Sequence, residues 1–195
     1  MTVPDRGEPR VIDMSEGDTG AAAPYTDAAR ARLVMAYDAC VLADLARAAV
    51  PIGEHELNTD GTTRSPGAVL ADAARVLVAA RRFFETAAVF ERVGGADWQR
   101  IGDVLGVPPQ AARARFAMAE TGFREELLLP GGTGPTEAGG TSSLRAHMAG
   151  EPLETALDLD DWVLRHQDGD DALGPTPVSG GLTRIDPPRH AEKHP

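Results

Sequence analysis

Sulfur and lysine are nearly missing from this chain. Of its 195 residues one is cysteine, Cys40. A single thiol excludes an internal disulfide and any structural zinc site built on several thiolates. A reducing compartment is expected, and the chain is read as cytoplasmic. Lysine occurs once, at Lys193, so that 18 of the 19 basic residues are arginine. Aromatic residues make up only 5% of the chain, too few to furnish two separate cores. No stretch approaches the ~20 apolar residues needed to span a bilayer, and the first residues are acidic and polar rather than basic and then apolar. No membrane association is expected.

Acid, glycine and proline are abundant. The net charge is −11, which opposes simple adhesion to a row of phosphates. The surplus lies at the ends: residues 1–64 hold six basic against eleven acidic residues, 65–129 hold eight of each, and 130–195 hold five against eleven. Most of the 21 glycines and 15 prolines also fall outside the apolar-periodic segments. The expected architecture is therefore all-α: a small helical bundle with a C-terminal helix-turn-helix, flanked by disordered acidic and Gly/Pro-rich tails.

Residues 1–24 lack apolar periodicity and read as a disordered arm. Residues 25–129 form the expected helical domain. Thr26 offers an N-cap, and Val34, Tyr37, Val41, Leu45 and Ala48 then advance by three or four residues, predicting a helix from Asp27 to about Ala49 with these side chains on one face. Pro51 and Gly53 end it, and a polar loop runs to Arg64. Ser65-Pro66 predicts the start of a second helix, with serine as cap and proline in the first turn. Along it Val69, Val76, Phe83 and Phe90 recur every seven residues beside Leu70, Leu77 and Phe84. This wide stripe suits packing within the bundle, with a coiled-coil seam as the alternative. Gly94-Gly95 stop it. Residues 130–150 read as a Gly/Pro/Ser linker, and 151–167 as a short amphipathic helix whose Leu153, Leu157, Trp162, Val163 and Leu164 can dock back on the core. Residues 168–195 read as a disordered tail.

Between residues 97 and 119 each position has a mechanical role. A short first helix buries Trp98, Ile101 and Leu105, and Gly102 lets the following chain pass close. Gly106 takes the positive φ of a tight turn, and Val107 plugs the corner. A second helix starts at Pro108-Pro109, turns Ala111 and Ala112 inward, anchors through Phe116, and leaves Gln110, Arg113 and either Ala114 or Arg115 outward. Trp98, Ile101, Gly102, Leu105, Gly106, Val107, Gln110, Ala111, Ala112, Arg115 and Phe116 together resemble the helix-turn-helix of small DNA-binding proteins of high-GC bacteria, and more distantly the sigma-factor region-4 module. The likeness covers about residues 66–129. It implies a role like that of a transcription regulator. Pro108 departs from it by replacing the capping serine, and two prolines remove two N–H donors from the helix end that would grip phosphate.

For a DNA reader, Gln110 and Arg113 are the expected base contacts, since glutamine pairs with adenine and arginine with guanine in the major groove. Arg100, Arg115 and Arg124 are the expected phosphate contacts. One such helix reads few base pairs, so a homodimer is expected. The alternative is a degenerate module that docks on a protein partner, such as a sigma factor or partner regulator. Catalysis is not expected, nor is a cofactor or metal. His55, His147, His166, His190 and His194 lack ligand spacing, and Glu54-His55-Glu56 sits in a loop with no evident pocket. The glycines of 131–143 lack the Gly-Lys-Ser/Thr ending of a phosphate loop, and Asp158, Asp160 and Asp161 lack the glycine and closing glutamate of a calcium loop.

Overall fold

A computed structural model describes residues 25–50, 53–128, 151–167 and 173–182. The expectations for the arm at 1–24 and the linker at 130–150 lie outside these residues. The described chain is all-α, with five helices and no strand: α1 (Asp27–Ala48), α2 (Ala68–Val93), α3 (Trp98–Leu105), α4 (Pro109–Leu128) and α5 (Pro152–His166). Short 3-10 turns occur at Glu54–Glu56 and Ser179–Gly181. No helix among the described residues is long and apolar enough to cross a membrane.

Helix α1 begins as its sequence predicts, with the Thr26 hydroxyl accepting the Ala29 N–H at 3.2 Å. Its burial is two-sided. Ala31 and Val34 pack with Val89 of α2 and Phe123 of α4, whereas Leu33, Tyr37 and Cys40 pack with Ala156 and Leu159 of α5. A single amphipathic stripe therefore does not describe it: α1 is the layer between two neighbours.

Helix α2 starts two residues later than Ser65-Pro66 predicts. Gly67, at φ 92°, occupies the cap position, and no side chain caps the helix. Ser65 and Pro66 belong to the preceding turn, in which the Ala68 N–H reaches the Ser65 carbonyl at 3.1 Å. The apolar stripe is only half covered. Phe84 and Ala88 enter a core with Ile101, Ala112 and Phe116, but Val69, Leu70, Leu77 and Val78 are exposed.

Two expectations for the C-terminal region need correction. Helix α5 does dock on α1, but its inward face carries Pro152, Thr155, Ala156, Leu159 and Asp160, while Leu153, Leu157 and Leu164 are exposed. The tail expected to be disordered from 168 contains a docked segment at 173–182. Val178 is buried with Leu33 and Leu159. Its carbonyl accepts from Arg32 at 2.7 Å, and its N–H donates to Asp160 at 2.6 Å. Asp160 also accepts the Ser179 N–H at 3.0 Å and the Ser179 hydroxyl. These partners lie far apart in sequence, so local composition gave no sign of them.

Candidate nucleic-acid interface

Helices α3 and α4 meet at a three-residue corner, Gly106, Val107 and Pro108, whose geometry follows from its sequence. Asp97 caps α3 by accepting the Arg100 N–H at 2.7 Å. At the far end Gly106 sits at φ 66°, a left-handed conformation that glycine adopts without steric cost. The Val107 N–H then bonds the Gly102 carbonyl at 3.0 Å and the Gly106 N–H bonds the Asp103 carbonyl at 3.4 Å, the double bond of a Schellman termination. Gly102 is needed for a second reason. A Cβ there would lie 2.6 Å from the Val107 carbonyl oxygen, so the corner closes because that position has no side chain.

Helix α4 begins at Pro109, and the Pro108 carbonyl accepts from Ala111 at 2.9 Å and Ala112 at 3.1 Å. Pro109 has no N–H, so of the first helical amides only that of Gln110 remains for an outside acceptor. With Pro108 and Pro109 at this end, the start of α4 lacks two backbone N–H donors.

Inside the corner, Ile101, Ala112 and Phe116 are buried against Ala88, and Phe116 meets Phe84 edge-on at 5.3 Å between ring centroids. Trp98 and Leu105 are partly buried beside them. Two expected inward positions differ. Ala111 is exposed while Ala112 is buried, because one step along a helix turns a side chain by about 100°. Val107 is 38% exposed and does not plug the corner; backbone atoms close it instead.

Gln110 and Arg113 are both exposed and lie on one side of α4. No hydrogen bond, ion pair or ring contact engages either side chain among the described residues. Arg124 follows on that side about three turns on, where it pairs with Glu120 at 3.0 Å. Arg115 points elsewhere: its guanidinium lies 4.7 Å from the Phe84 ring centroid and 5.2 Å from that of Phe116, so it covers the aromatic core from outside. Arg100 projects from α3 at the rim of a cavity of about 260 Å³ between α2 and α3, with Phe84, Glu91, Ile101 and Val104. The five arginine and glutamine positions thus divide. Gln110 and Arg113 stand together and open, Arg124 shares their side but has an acidic partner, and Arg100 and Arg115 belong to other surfaces.

An ion pair adds to the aromatic and aliphatic packing that holds this corner on the bundle. Arg92, at the end of α2, bonds Glu120 of α4 at 3.1 Å, donates to the Ala96 carbonyl, and stacks on Trp98 at 4.5 Å. Burial pushes the Glu120 carboxyl up, but the bonds from Arg92 and Arg124 outweigh burial and hold it below its ordinary value. The pair spans 28 positions, beyond any helical periodicity. Among the described residues no group of three or more His, Cys, Asp or Glu is placed to hold a metal ion.

Compared with known proteins, the chain matches no family model, no curated protein and no solved structure.

Proposed function

We propose that the protein is a DNA-binding transcriptional regulator in which α3 and α4 form a helix-turn-helix and α4 enters the major groove. One observation carries the reading: past a tight turn that Gly102 and Gly106 permit, Gln110 and Arg113 stand side by side at the start of α4, exposed and without a partner among the described residues. These side chains suit adenine and guanine edges at successive positions. The resemblance of residues 98–116 to the helix-turn-helix of small bacterial regulators supports the same assignment.

Phosphate contact in this scheme is sparse. Arg124 is the arginine on the reading side that can turn from Glu120 to a backbone phosphate, and the Gln110 amide is the remaining main-chain donor at the helix start. Affinity is therefore modest, falls only gently with salt, and needs two copies on one site. The acidic flanks disfavour binding to arbitrary sequence.

A second reading is supported by a different observation. Val104 and Val107 are exposed at the same corner and Met118 further along α4, apolar side chains better matched to a protein surface than to phosphates. On this reading α4 docks on a sigma factor or partner regulator. Genome-wide recovery of DNA fragments with the tagged protein, in parallel with an Arg113→Ala variant, separates the two. Discrete enriched sites that vanish in the variant support DNA reading. Absence of sites, or sites unchanged in the variant, removes it in favour of protein docking.

A further inference from the structure

Helices α1 and α5 leave between them a cavity of about 320 Å³, within the roughly 300–1,000 Å³ of small-ligand sites. Every residue that lines it belongs to one of these two helices, and none takes part in the proposed reading of DNA. Tyr37 of α1 and Trp162 of α5 supply aromatic walls, and Val41 and Leu159 aliphatic ones. Trp162 is held in place. Its indole N–H donates to the Asp44 carboxylate, 3.1 Å from either oxygen, and its ring lies against His166 at 4.2 Å between centroids. Asp44 and Trp162 are 118 positions apart, so the bond joins the two helices at the cavity itself.

The charge around these walls is mostly of one sign. Asp44, Glu154 and Asp158 line the cavity, against one base, Arg165. Arg165 is engaged: its guanidinium lies 3.0 Å from the Asp161 carboxylate and its Nε donates to the Asp161 carbonyl at 3.2 Å. The Asp158 carboxylate has no hydrogen bond or ion pair among the described residues. Burial, aided by the Asp44 charge, pushes the Cys40 thiol in the wall up to about 11, as a negative field inside the cavity requires. An anion is therefore repelled, and a neutral guest gains from the apolar walls alone. A cation gains from the carboxylates and also from the aromatic faces, which attract positive charge. A metal ion is a poor match, because the carboxylates are not gathered as a ligand set and the remaining lining is carbon.

We propose that the cavity between α1 and α5 binds a small organic cation, a positively charged nitrogen carried on an apolar body. The nitrogen lies against the aromatic walls within reach of Asp44 and Asp158, and the apolar body rests on Val41 and Leu159. Occupancy joins α5 to α1 and so stabilises the docked C-terminal helix, together with the 173–182 segment that Asp160 holds. The assignment does not rest on the DNA reading. The cavity lies on the face of α1 that packs on α5, whereas the α3–α4 corner is reached through α2.

Equilibrium dialysis of benzyltrimethylammonium against the full chain without DNA tests it, with benzyl alcohol and benzoate as neutral and anionic counterparts at equal ionic strength. One saturable site is expected for the cation, with benzyl alcohol about tenfold weaker and benzoate not taken up. Asp158→Asn, at an exposed carboxylate, weakens cation uptake about threefold with unchanged helicity by circular dichroism. Trp162→Phe keeps an aromatic face and most of the cation affinity. Trp162→Leu, apolar without a ring, brings the cation down toward benzyl alcohol; that ratio stays put if the substitution only loosens α5. A wild-type chain with no saturable uptake of the cation overturns the proposal, and so does equal uptake of benzyl alcohol, the mark of a merely apolar cleft. Cation uptake unchanged in both Asp158→Asn and Trp162→Leu overturns it as well, because the ion then binds elsewhere. Arg113→Ala takes up the cation like wild type even if it abolishes DNA recovery, so failure of this site and failure of the DNA reading are told apart.

Discussion

The Arg92 guanidinium, 3.1 Å from the Glu120 carboxylate, joins the last turn of α2 to the middle of α4 and fixes the α3–α4 corner against the bundle. The side chains are 22% and 13% exposed, so the pair is largely withdrawn from water, and Trp98 lies against the guanidinium on its other side. This pair adds a polar tether to the packing of Phe84 and Ala88 on Phe116, and together they set the angle of α4.

Replacing Arg92 by alanine removes this tether and leaves the largely buried Glu120 with Arg124 as its remaining ion-pair partner among the described residues. The expected cost lies between about 1 kcal/mol, as for an exposed pair, and about 3 kcal/mol, as for a buried one. Arg92→Lys recovers only part of it, because an ammonium lacks the fork that reaches Glu120 and the Ala96 carbonyl together. Urea unfolding midpoints of the three proteins check the order wild type, lysine, alanine.

Gly102 and Gly106 serve the same corner by different means, and their alanine variants should separate accordingly. At Gly102 the added Cβ meets a backbone oxygen that cannot swing aside, at an expected cost of about 2 kcal/mol. At Gly106 there is open space and the penalty is that of a left-handed residue, about 1 kcal/mol. Thermal unfolding should show the larger drop for Gly102→Ala. Equal midpoints for the two variants would mean that the close approach of Val107 is not limiting.

The docked segment at 173–182 should release in acid. Burial raises the Asp160 carboxyl, but the Ser179 hydroxyl, the N–H groups of Val178 and Ser179, and the Arg32 charge outweigh burial and hold it below its ordinary 3.8. A carboxyl lowered in the folded state binds its proton more readily when unfolded, so its contribution is complete above 3.8 and fades as pH falls below it. Amide exchange at Val178 and Ser179, followed on acidification, is expected to lose protection ahead of α2. Asp160→Asn should produce the same loss at neutral pH; retained protection in that variant would show that Val178 burial alone holds the segment.

Cys40 should be a poor nucleophile at neutral pH. It lines a cavity of about 320 Å³ between α1 and α5, where burial, aided by the Asp44 charge, pushes its thiol up to about 11. Labelling by a thiol reagent is expected to be slow at pH 7 and to accelerate steadily toward pH 11, with Asp44→Asn shifting the rise to lower pH. Fast, pH-independent labelling at neutral pH would contradict this environment.

Local chemistry carried much of this fold in the sequence itself. Thr26 and Asp97 as caps, Gly94 as a stop, Gly106 as the left-handed corner residue and Gly102 as a point of close approach act over four or five residues, so their consequences were readable without neighbours. Gln110 and Arg113 as outward positions followed from helical periodicity once the corner was placed. Tertiary packing decided what depends on partners distant in sequence: the two-sided burial of α1, the inward Ala156 face of α5, the Arg92–Glu120 tether, the stacking of Arg115 on Phe84, and the clasp of Val178 by Arg32 and Asp160. Periodicity shows that a helix has an apolar side, but not which neighbour covers it or where the cover ends. That Leu70 and Leu77 are bare therefore appears only when α3 and α4 are seen to cover the later turns of α2 alone.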